Sequence, residues 1–364
     1  MRKSGYILAI NPGSTTTKLA IYQFNLTEKH VKLIKEVNLD HTDKSGDPGT
    51  SELSNEDIRT QAVRNFVANE HFMLDLIMAR GAPLRPLEGG VYAVDSEMLE
   101  DIIAAKYSQH ASNMAALIGN TLGSELKIPL YIADPITSDE LEAVARISGV
   151  PGIVRKSRSH ALNIKASLRK QCQRLNFDFL DSSWVVCHMG GGISVAAVKN
   201  GRIIDVNDAL LGMGPFSSDR AGALPLAGVL DLAFQEGRSR EDLETLLSTN
   251  SGLKGYLGTG DLRKVESLIA AGDSQANLVF KAMVYQIVKE IGSMASVLCF
   301  QLNGVLLTGG MAHSSLLCNS ISGCIQNLAK TYVEPGENEL EALAEAGLRV
   351  LLGTEPIKIY GQTS

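Results

Sequence analysis

No stretch of this 364-residue chain approaches the roughly 20 consecutive apolar residues needed to cross a bilayer, which excludes a helical membrane span. Met1 to Gly5 leads into an apolar run of only about five residues with no cleavage region, so no secretory leader is expected. The five cysteines, Cys172, Cys187, Cys299, Cys318 and Cys324, include no Cys-x-x-Cys pair and no metal-type spacing against the seven histidines. A reduced, cytoplasmic setting is the expectation. A basic excess is also missing: 34 Lys and Arg face 40 Asp and Glu, and the net charge of -6 argues against nonspecific nucleic-acid binding. Any anionic ligand must then be held by local donors. Neither G-x-x-x-x-G-K-[ST] nor G-x-G-x-x-G with a later acid occurs, which disfavours the P-loop and Rossmann nucleotide folds. Low-complexity tracts are absent, so disorder is expected only at the tails.

What remains is an ordinary globular composition, 45% hydrophobic and 20% charged, in a chain too long for one core. Two domains are expected. One short architecture occurs twice: an apolar strand, a turn of glycines and hydroxyl residues, and a strand running back. The first copy is Tyr6 to Ile10, Asn11-Pro12-Gly13-Ser14-Thr15-Thr16-Thr17, then Lys18 to Phe24. The second is Trp184 to Cys187, His188-Met189-Gly190-Gly191-Gly192, then Ile193 to Lys199. Each continues into a third apolar run, Val31 to Val37 and Arg202 to Val206, so two three-stranded meanders open two related domains. Glycine lets backbone N–H groups approach an anion, and Ser and Thr add hydroxyl donors, so two facing turns would make a phosphate clamp. The same residues also form hairpin turns that bind nothing.

Between these copies, Asp40 to Asn55 reads as a solvated loop that could also close over a substrate. Ser54 with Asp57 resembles a helix start, followed by Ile58, Ala62, Val63 and Phe66 at helical spacing. Asp75 to Ala79 reads as a buried strand that delivers Arg80 to a loop. Glu97 to Leu126 is helical with a break near Tyr107 to Asn113, and Leu130 to Ala133 is a short strand stopped at Asp134-Pro135. Thr137 with Glu140 has the form of a capping box for a helix toward Ser148, and Gly149-Val150-Pro151-Gly152 is the candidate interdomain joint. Later, Ser239 and Asp242 cap a short helix, Gln275 to Phe300 forms a long one, and Gly304 to Leu307 is a strand running into Thr308-Gly309-Gly310.

At this point the residues resemble a known family. Ile10 to Lys18 is similar to the first signature of the acetate and butyrate kinases, and Val185 to Ser194 to the second. The likeness continues in order through Gly214 to Gly222, Ser251 to Gly255, Gly260 to Arg263, Leu307 to Gly310 and Pro335 to Glu339. It covers essentially the whole chain and is far more specific than fold analogy. The Gly-Pro-Phe-Ser run before Asp219-Arg220 and the triple glycine after His188 resemble the butyrate branch. The sequence departs from the family around His160, where only the histidine is kept, and at Ala221, where many butyrate kinases have serine.

The resemblance implies an α/β, two-domain actin-like ATPase (ribonuclease H-like) fold with a duplicated βββαβαβα core. Residues 1–150, completed by a C-terminal helix at about 340–364, would form one domain; 151–339 would form the other and carry most nucleotide contacts. The two glycine turns would face each other across a cleft. The implied activity is reversible in-line phosphoryl transfer between ATP and butyrate or a branched short-chain acid, giving acyl phosphate and ADP with Mg²⁺ as cofactor. Acetate or propionate kinase and sugar kinase are the alternatives. A sugar-responsive regulator would need a helix-turn-helix, and only five residues precede the first strand.

Such transfer asks little covalent work of a protein and much charge neutralisation. Residue by residue, Arg80 and Arg220 match the family arginines around the transferring phosphate and acyl carboxylate, a role that suits a planar, permanently charged fork. A surface salt bridge is the competing reading. His160 matches a histidine that donates to the transferring group, and His110 corresponds to a further substrate histidine. Asn11, Ser14, Thr16, Lys18, His188, Gly190, Gly191 and Gly192 match the phosphate-binding turns. Asp261, Leu262, Arg263, Gly309 and Gly310 match the adenosine loops: Asp261 could accept from ribose hydroxyls, Arg263 could stack on a base, and the glycines allow backbone approach. Asn11, Asp134 and Glu339 correspond to the magnesium side, through water, although Asp134 could instead cap the Thr137 helix. Expected partners are the small carboxylate, the nucleotide and further copies of the chain, with no nucleic acid and no membrane.

Overall fold

The computed structural model describes residues 2–41, 55–70 and 72–362. In chain order the elements are β1 (Ser4–Pro12), β2 (Thr16–Asn25), β3 (His30–Asp40), α1 (Asn55–Ala68), β4 (Leu74–Arg80), β5 (Val91–Ala93), α2 (Ser96–Ile103), α3 (Asn113–Leu126) and β6 (Leu130–Ala133). Then come α4 (Ala143–Arg146), α5 (Ala161–Leu175), β7 (Ser183–Met189), β8 (Ile193–Lys199), β9 (Arg202–Val206), α6 (Leu226–Ala233), α7 (Arg240–Thr249), α8 (Gly252–Leu257) and α9 (Leu262–Ala270). The last group is α10 (Ser274–Val297), β10 (Gly304–Gly309), α11 (Ser315–Ile325), β11 (Thr331–Pro335), α12 (Glu339–Leu351) and β12 (Ile357–Ile359).

Two compact units result, one of Met1–Ser138 with Asn338–Ser364 and the other of Asp139–Glu337. The sheet of the first has the order β12-β5-β6-β4-β1-β2-β3, and that of the second β11-β10-β7-β8-β9. From the edge inward, β3-β2-β1-β4-β6 and β9-β8-β7-β10-β11 are the same arrangement, an antiparallel meander continued by two parallel strands. The duplication expected from the two turns is therefore present in the strand order.

Ile7, Leu8, Ala9 and Ile10 of β1 are all fully buried, as expected for a strand covered on both faces rather than one. On one side Leu8, Ile10, Leu19 and Ile21 pack with Val63 and Phe66 of α1 and Ile118 and Leu122 of α3. On the other lies α12, packed closely at Gly347: a Cβ there would come within 3.0–3.3 Å of Met78, Leu76 and Ile7, and those side chains would have to shift. The final helix thus completes the first unit, as the sequence suggested. In the second unit one face of β7 packs with α10 and α11, and the other with α5.

Two expectations need correction. No helix starts at Thr137, whose Oγ1 instead accepts from the Leu84 amide at 3.1 Å; only Ala143–Arg146 is helical. The division between units falls at Ser138/Asp139 rather than at Gly149 to Gly152. The reason is the same in both cases. Asp139 is paired with Arg146, and buried Glu140 accepts at 2.8 Å both from Lys165 Nζ and from the Ile203 amide, which commits this segment to the second unit. The capping role proposed for Ser54, and most of the loop from Asp40 to Asn55, lie outside the described residues.

Candidate active site

Both glycine turns have their carbonyl groups tied from behind. At the first turn, buried Arg59 of α1 donates to the carbonyls of Gly13 (3.0 Å), Ser14 (2.7 Å) and Thr16 (2.9 Å) and to Thr17 Oγ1 (3.1 Å). The Thr15 carbonyl accepts from the His41 amide at 2.9 Å. At the second turn the Gly190 carbonyl accepts from Ser218 Oγ (3.3 Å), the Gly191 carbonyl from Ser217 Oγ (2.5 Å) and the Gly192 carbonyl from the Gly190 amide (3.0 Å). With their acceptors occupied, the turns have donors left to offer, and Ser14 and Thr15 are exposed. That is the electrostatic character an anion requires.

At the carboxyl ends of the first sheet's strands, Asn11 of β1, Arg80 of β4 and Glu339 at the start of α12 form one group. Asn11 Nδ2 donates to Glu339 Oε2 at 2.5 Å, Arg80 Nη1 donates to Asn11 Oδ1 at 3.3 Å, and Arg80 is ion-paired with the same Glu339 oxygen. Burial, and after it the Arg80 charge, lowers the pKa of His110. The Ser112 amide donates to His110 Nδ1 at 3.1 Å, so that nitrogen carries no proton. Lys18 lies opposite Asn11 in register and is exposed.

Asp134 follows Ala133, the register partner of Arg80. Its backbone is left-handed (φ 38°), its side chain is buried, and its Oδ1 accepts from the Gly90 amide at 2.8 Å. Aspartate is one of the few non-glycine residues that tolerate this conformation. The cap suggested for it has no helix to serve. Among the described residues no group of three or more His, Cys, Asp or Glu side chains could hold a metal alone. Asn11 and Glu339 are joined to each other and to Arg80, and the Asp134 carboxylate is held by Gly90; oxygen donors of this kind are the type magnesium takes, with waters and phosphates completing its shell.

In the second unit, Arg220 lies against the glycine turn. Its Nη1 donates to the Ala209 carbonyl at 2.5 Å, and a Cβ built on Gly192 would come within 2.2 Å of that nitrogen, so a side chain there would displace the guanidinium. Burial lowers the Arg220 pKa, which still leaves it charged. His160 and His188 stack, ring centroids 4.0 Å apart and planes inclined by 16°. Gly309 and Gly310 sit at the carboxyl end of β10, the position where open α/β sheets bind ligands, and Gly310 has open space beside it.

The adenosine loop differs in detail from expectation. Asp261 caps α9 by accepting from the Arg263 amide at 3.0 Å, and its two oxygens each accept from the Arg263 guanidinium at 3.0 Å. Both residues are thus engaged with each other, and the Leu262 side chain is buried in the core, so only its backbone is left to face a ligand. Sequence reasoning missed Arg59, Asn163 and the carbonyl-binding role of Ser217 and Ser218. For Ser217 and Ser218 the hydroxyl pair inside the Gly214 to Gly222 motif was the available signal; Arg59 offered none, because its partners lie over 40 residues away.

The structural relatives define the class first. Porphyromonas gingivalis acetate kinase superposes with a TM-score of 0.74 at 18% identity, covering 95% of this chain and 100% of its own. A Francisella tularensis propionate kinase gives 0.71 at 19% identity, covering 94% and 98%. The fold is that of the actin-like ATPases. The acetokinase family pattern matches residues 152–355. A probable butyrate kinase 2 of Caldanaerobacter subterraneus subsp. tengcongensis is 41% identical over 358 residues, 98% of this chain and 99% of that protein. A probable butyrate kinase of Clostridium botulinum is 39% identical over 357 residues, 97% and 99% of the two chains. The chain belongs to the acetokinase family.

Proposed function

We infer that this chain is a short-chain carboxylate kinase that moves a phosphoryl group in line between ATP and butyrate, or a branched acid of similar size, to give ADP and the acyl phosphate. The observation that carries this reading is the near-full-length likeness to butyrate kinases. The joining of Asn11, Arg80 and Glu339 at the strand ends supports it. In our reading Arg80 and Arg220 neutralise the equatorial oxygens, His160 donates to them, and the glycine turns present N–H groups to the nucleotide phosphates. Gly309 and Gly310 admit the nucleoside, with Asp261 and Arg263 at the loop's rim. Asn11, Asp134 and Glu339 would hold Mg²⁺, which when bound screens the charge of the bridging phosphate oxygens.

The test is acyl-phosphate trapping with hydroxylamine, with ATP and Mg²⁺, across acetate, propionate, butyrate, isobutyrate, valerate and glucose. Butyrate or isobutyrate should give the highest kcat/KM. Phosphorylation of glucose without acyl hydroxamate would replace this reading with the sugar-kinase alternative.

Among the described residues no helix is long and apolar enough to cross a membrane. With all five cysteines free, we place the enzyme in the cytoplasm. We also propose that it self-associates through α6. None of that helix is buried, and Leu226, Leu230 and Phe234 are 81%, 56% and 85% exposed. Leu224, Pro225, Tyr256 and Leu278 line a cavity of about 630 Å³ on the same unit. A projecting apolar helix next to an apolar hollow is self-complementary under a two-fold axis, each copy filling the other. Leu226→Glu with Phe234→Glu should convert a dimer to a monomer in light scattering with unchanged circular dichroism. Persistence of the dimer would rule out this surface.

A further inference from the structure

The stacked histidines of the second unit are held by two side chains to which no catalytic role has been given so far. His188 Nδ1 lies 2.8 Å from Asn163 Oδ1. Asn163 Oδ1 also accepts from Thr308 Oγ1 at 3.4 Å, while its Nδ2 donates to the Gly336 carbonyl at 3.5 Å. Turning the amide over would set its oxygen against that carbonyl, so the orientation is fixed by the network. Thr308 Oγ1 is in turn 3.1 Å from Ser167 Oγ, so the hydroxyl donors run in one direction toward the amide oxygen. An amide oxygen only accepts; the His188 proton therefore sits on Nδ1. Its Nε2 makes no hydrogen bond and lies 3.4 Å from the Glu337 carboxylate.

His160 is bound in the opposite sense. Ser194 is fully buried, and its Oγ accepts from the His160 amide at 3.4 Å and lies 2.9 Å from His160 Nδ1. A buried hydroxyl needs an acceptor for its hydrogen, and the ring nitrogen of His160 is the one within reach. Nδ1 of His160 must then accept, which leaves the ring proton on Nε2.

We propose that Ser194 and Asn163 are positioning residues that hold the stacked His160 and His188 rings in opposite senses, Nδ1 of His188 donating and Nδ1 of His160 accepting, which leaves the His160 donor on Nε2. His188, locked by Asn163, serves as the platform on which the donor ring rests. A neutral donor suits a site that already carries arginines. It can hydrogen-bond an anionic oxygen without adding a charge that would have to be shared across two rings in contact. The tautomers follow from the hydrogen bonds alone; only their effect on turnover rests on the carboxylate-kinase reading.

Long-range proton–nitrogen correlation spectra of the full-length protein, with histidines labelled and assigned through His160→Gln and His188→Gln, read the tautomers directly. The expected pattern is a protonated Nε2 on His160 and a protonated Nδ1 on His188. A protonated Nδ1 on His160, or an unprotonated Nδ1 on His188, would overturn the proposal. Ser194→Ala should mix the His160 tautomers and lower kcat by about tenfold, the population change that one ordinary hydrogen bond allows, with KM for the carboxylate within about twofold. An unmixed tautomer in that variant would equally refute it. If Ser194→Ala does not fold, the wild-type spectrum decides. If no carboxylate is phosphorylated, the spectra still decide the tautomers while the reading of the activity fails separately.

Discussion

Replacing Arg220 or Arg80 with alanine should lower turnover by about 10³-fold or more, the scale found for arginines that stabilise a transferring phosphoryl group. That corresponds to about 4 kcal/mol of transition-state stabilisation. Arg220 is held beside the second glycine turn, its Nη1 next to Gly192 and donating to the Ala209 carbonyl. Lysine should restore little at either position, because a point charge on a flexible stem cannot reproduce the planar fork. Arg80 has a competing explanation, since its ion pair with Glu339 could be purely structural. A cycle of Arg80→Ala, Glu339→Gln and the double variant separates the two. If the arginine only balances Glu339, the double variant should recover activity relative to Arg80→Ala. Near-wild-type kcat in either alanine variant, with circular dichroism unchanged, would return that residue to a salt-bridge role.

The second large effect is expected at Arg59, which holds the carbonyls of the first glycine turn. Among the described residues its guanidinium is satisfied by neutral groups: Asn55 Oδ1, the Thr17 hydroxyl and the carbonyls of Gly13, Ser14 and Thr16. Arg59→Met keeps most of the apolar stem but leaves those carbonyls without their buried donor. The cost should be about 3–5 kcal/mol, since charge-assisted bonds are lost and buried acceptors are orphaned together. Because the chain has two units, a single unfolding midpoint is a poor measure. Amide hydrogen exchange across β1 and β2 is the direct one, and KM for ATP should rise alongside it. Exchange protection equal to wild type would show that the turn holds its shape without this residue.

These two arginines illustrate what the sequence makes legible. Arg220 could be found because it stands in a short motif beside glycines, and a guanidinium among turn residues is unusual locally. Arg59 looks like any helix-surface arginine in Asn55-Glu56-Asp57-Ile58-Arg59, and its role depends on a turn folded from residues far upstream. The duplicated meander was legible because strand, glycine turn and strand are adjacent in the chain. The boundary between the units was not. Gly149 to Gly152 has the composition of a linker, yet the buried pair Glu140 and Lys165 had already committed the chain to the second unit. The Thr137 helix failed for the same reason, since Glu140 was needed for a tertiary contact. Leu262 shows the converse limit: a motif identifies a loop but does not say which of its side chains turn toward the core.

The first unit takes its last helix and an edge strand from residues that follow the whole of the second unit in the chain. During synthesis the second unit, contiguous from Asp139 to Glu337, is available to fold as soon as it leaves the ribosome, whereas the first must wait with one face of its sheet uncovered. Glu339, the partner of both Asn11 and Arg80, arrives only with that closing helix. A nascent chain stopped anywhere before it therefore presents Asn11 and Arg80 at the strand ends without the carboxylate that joins them.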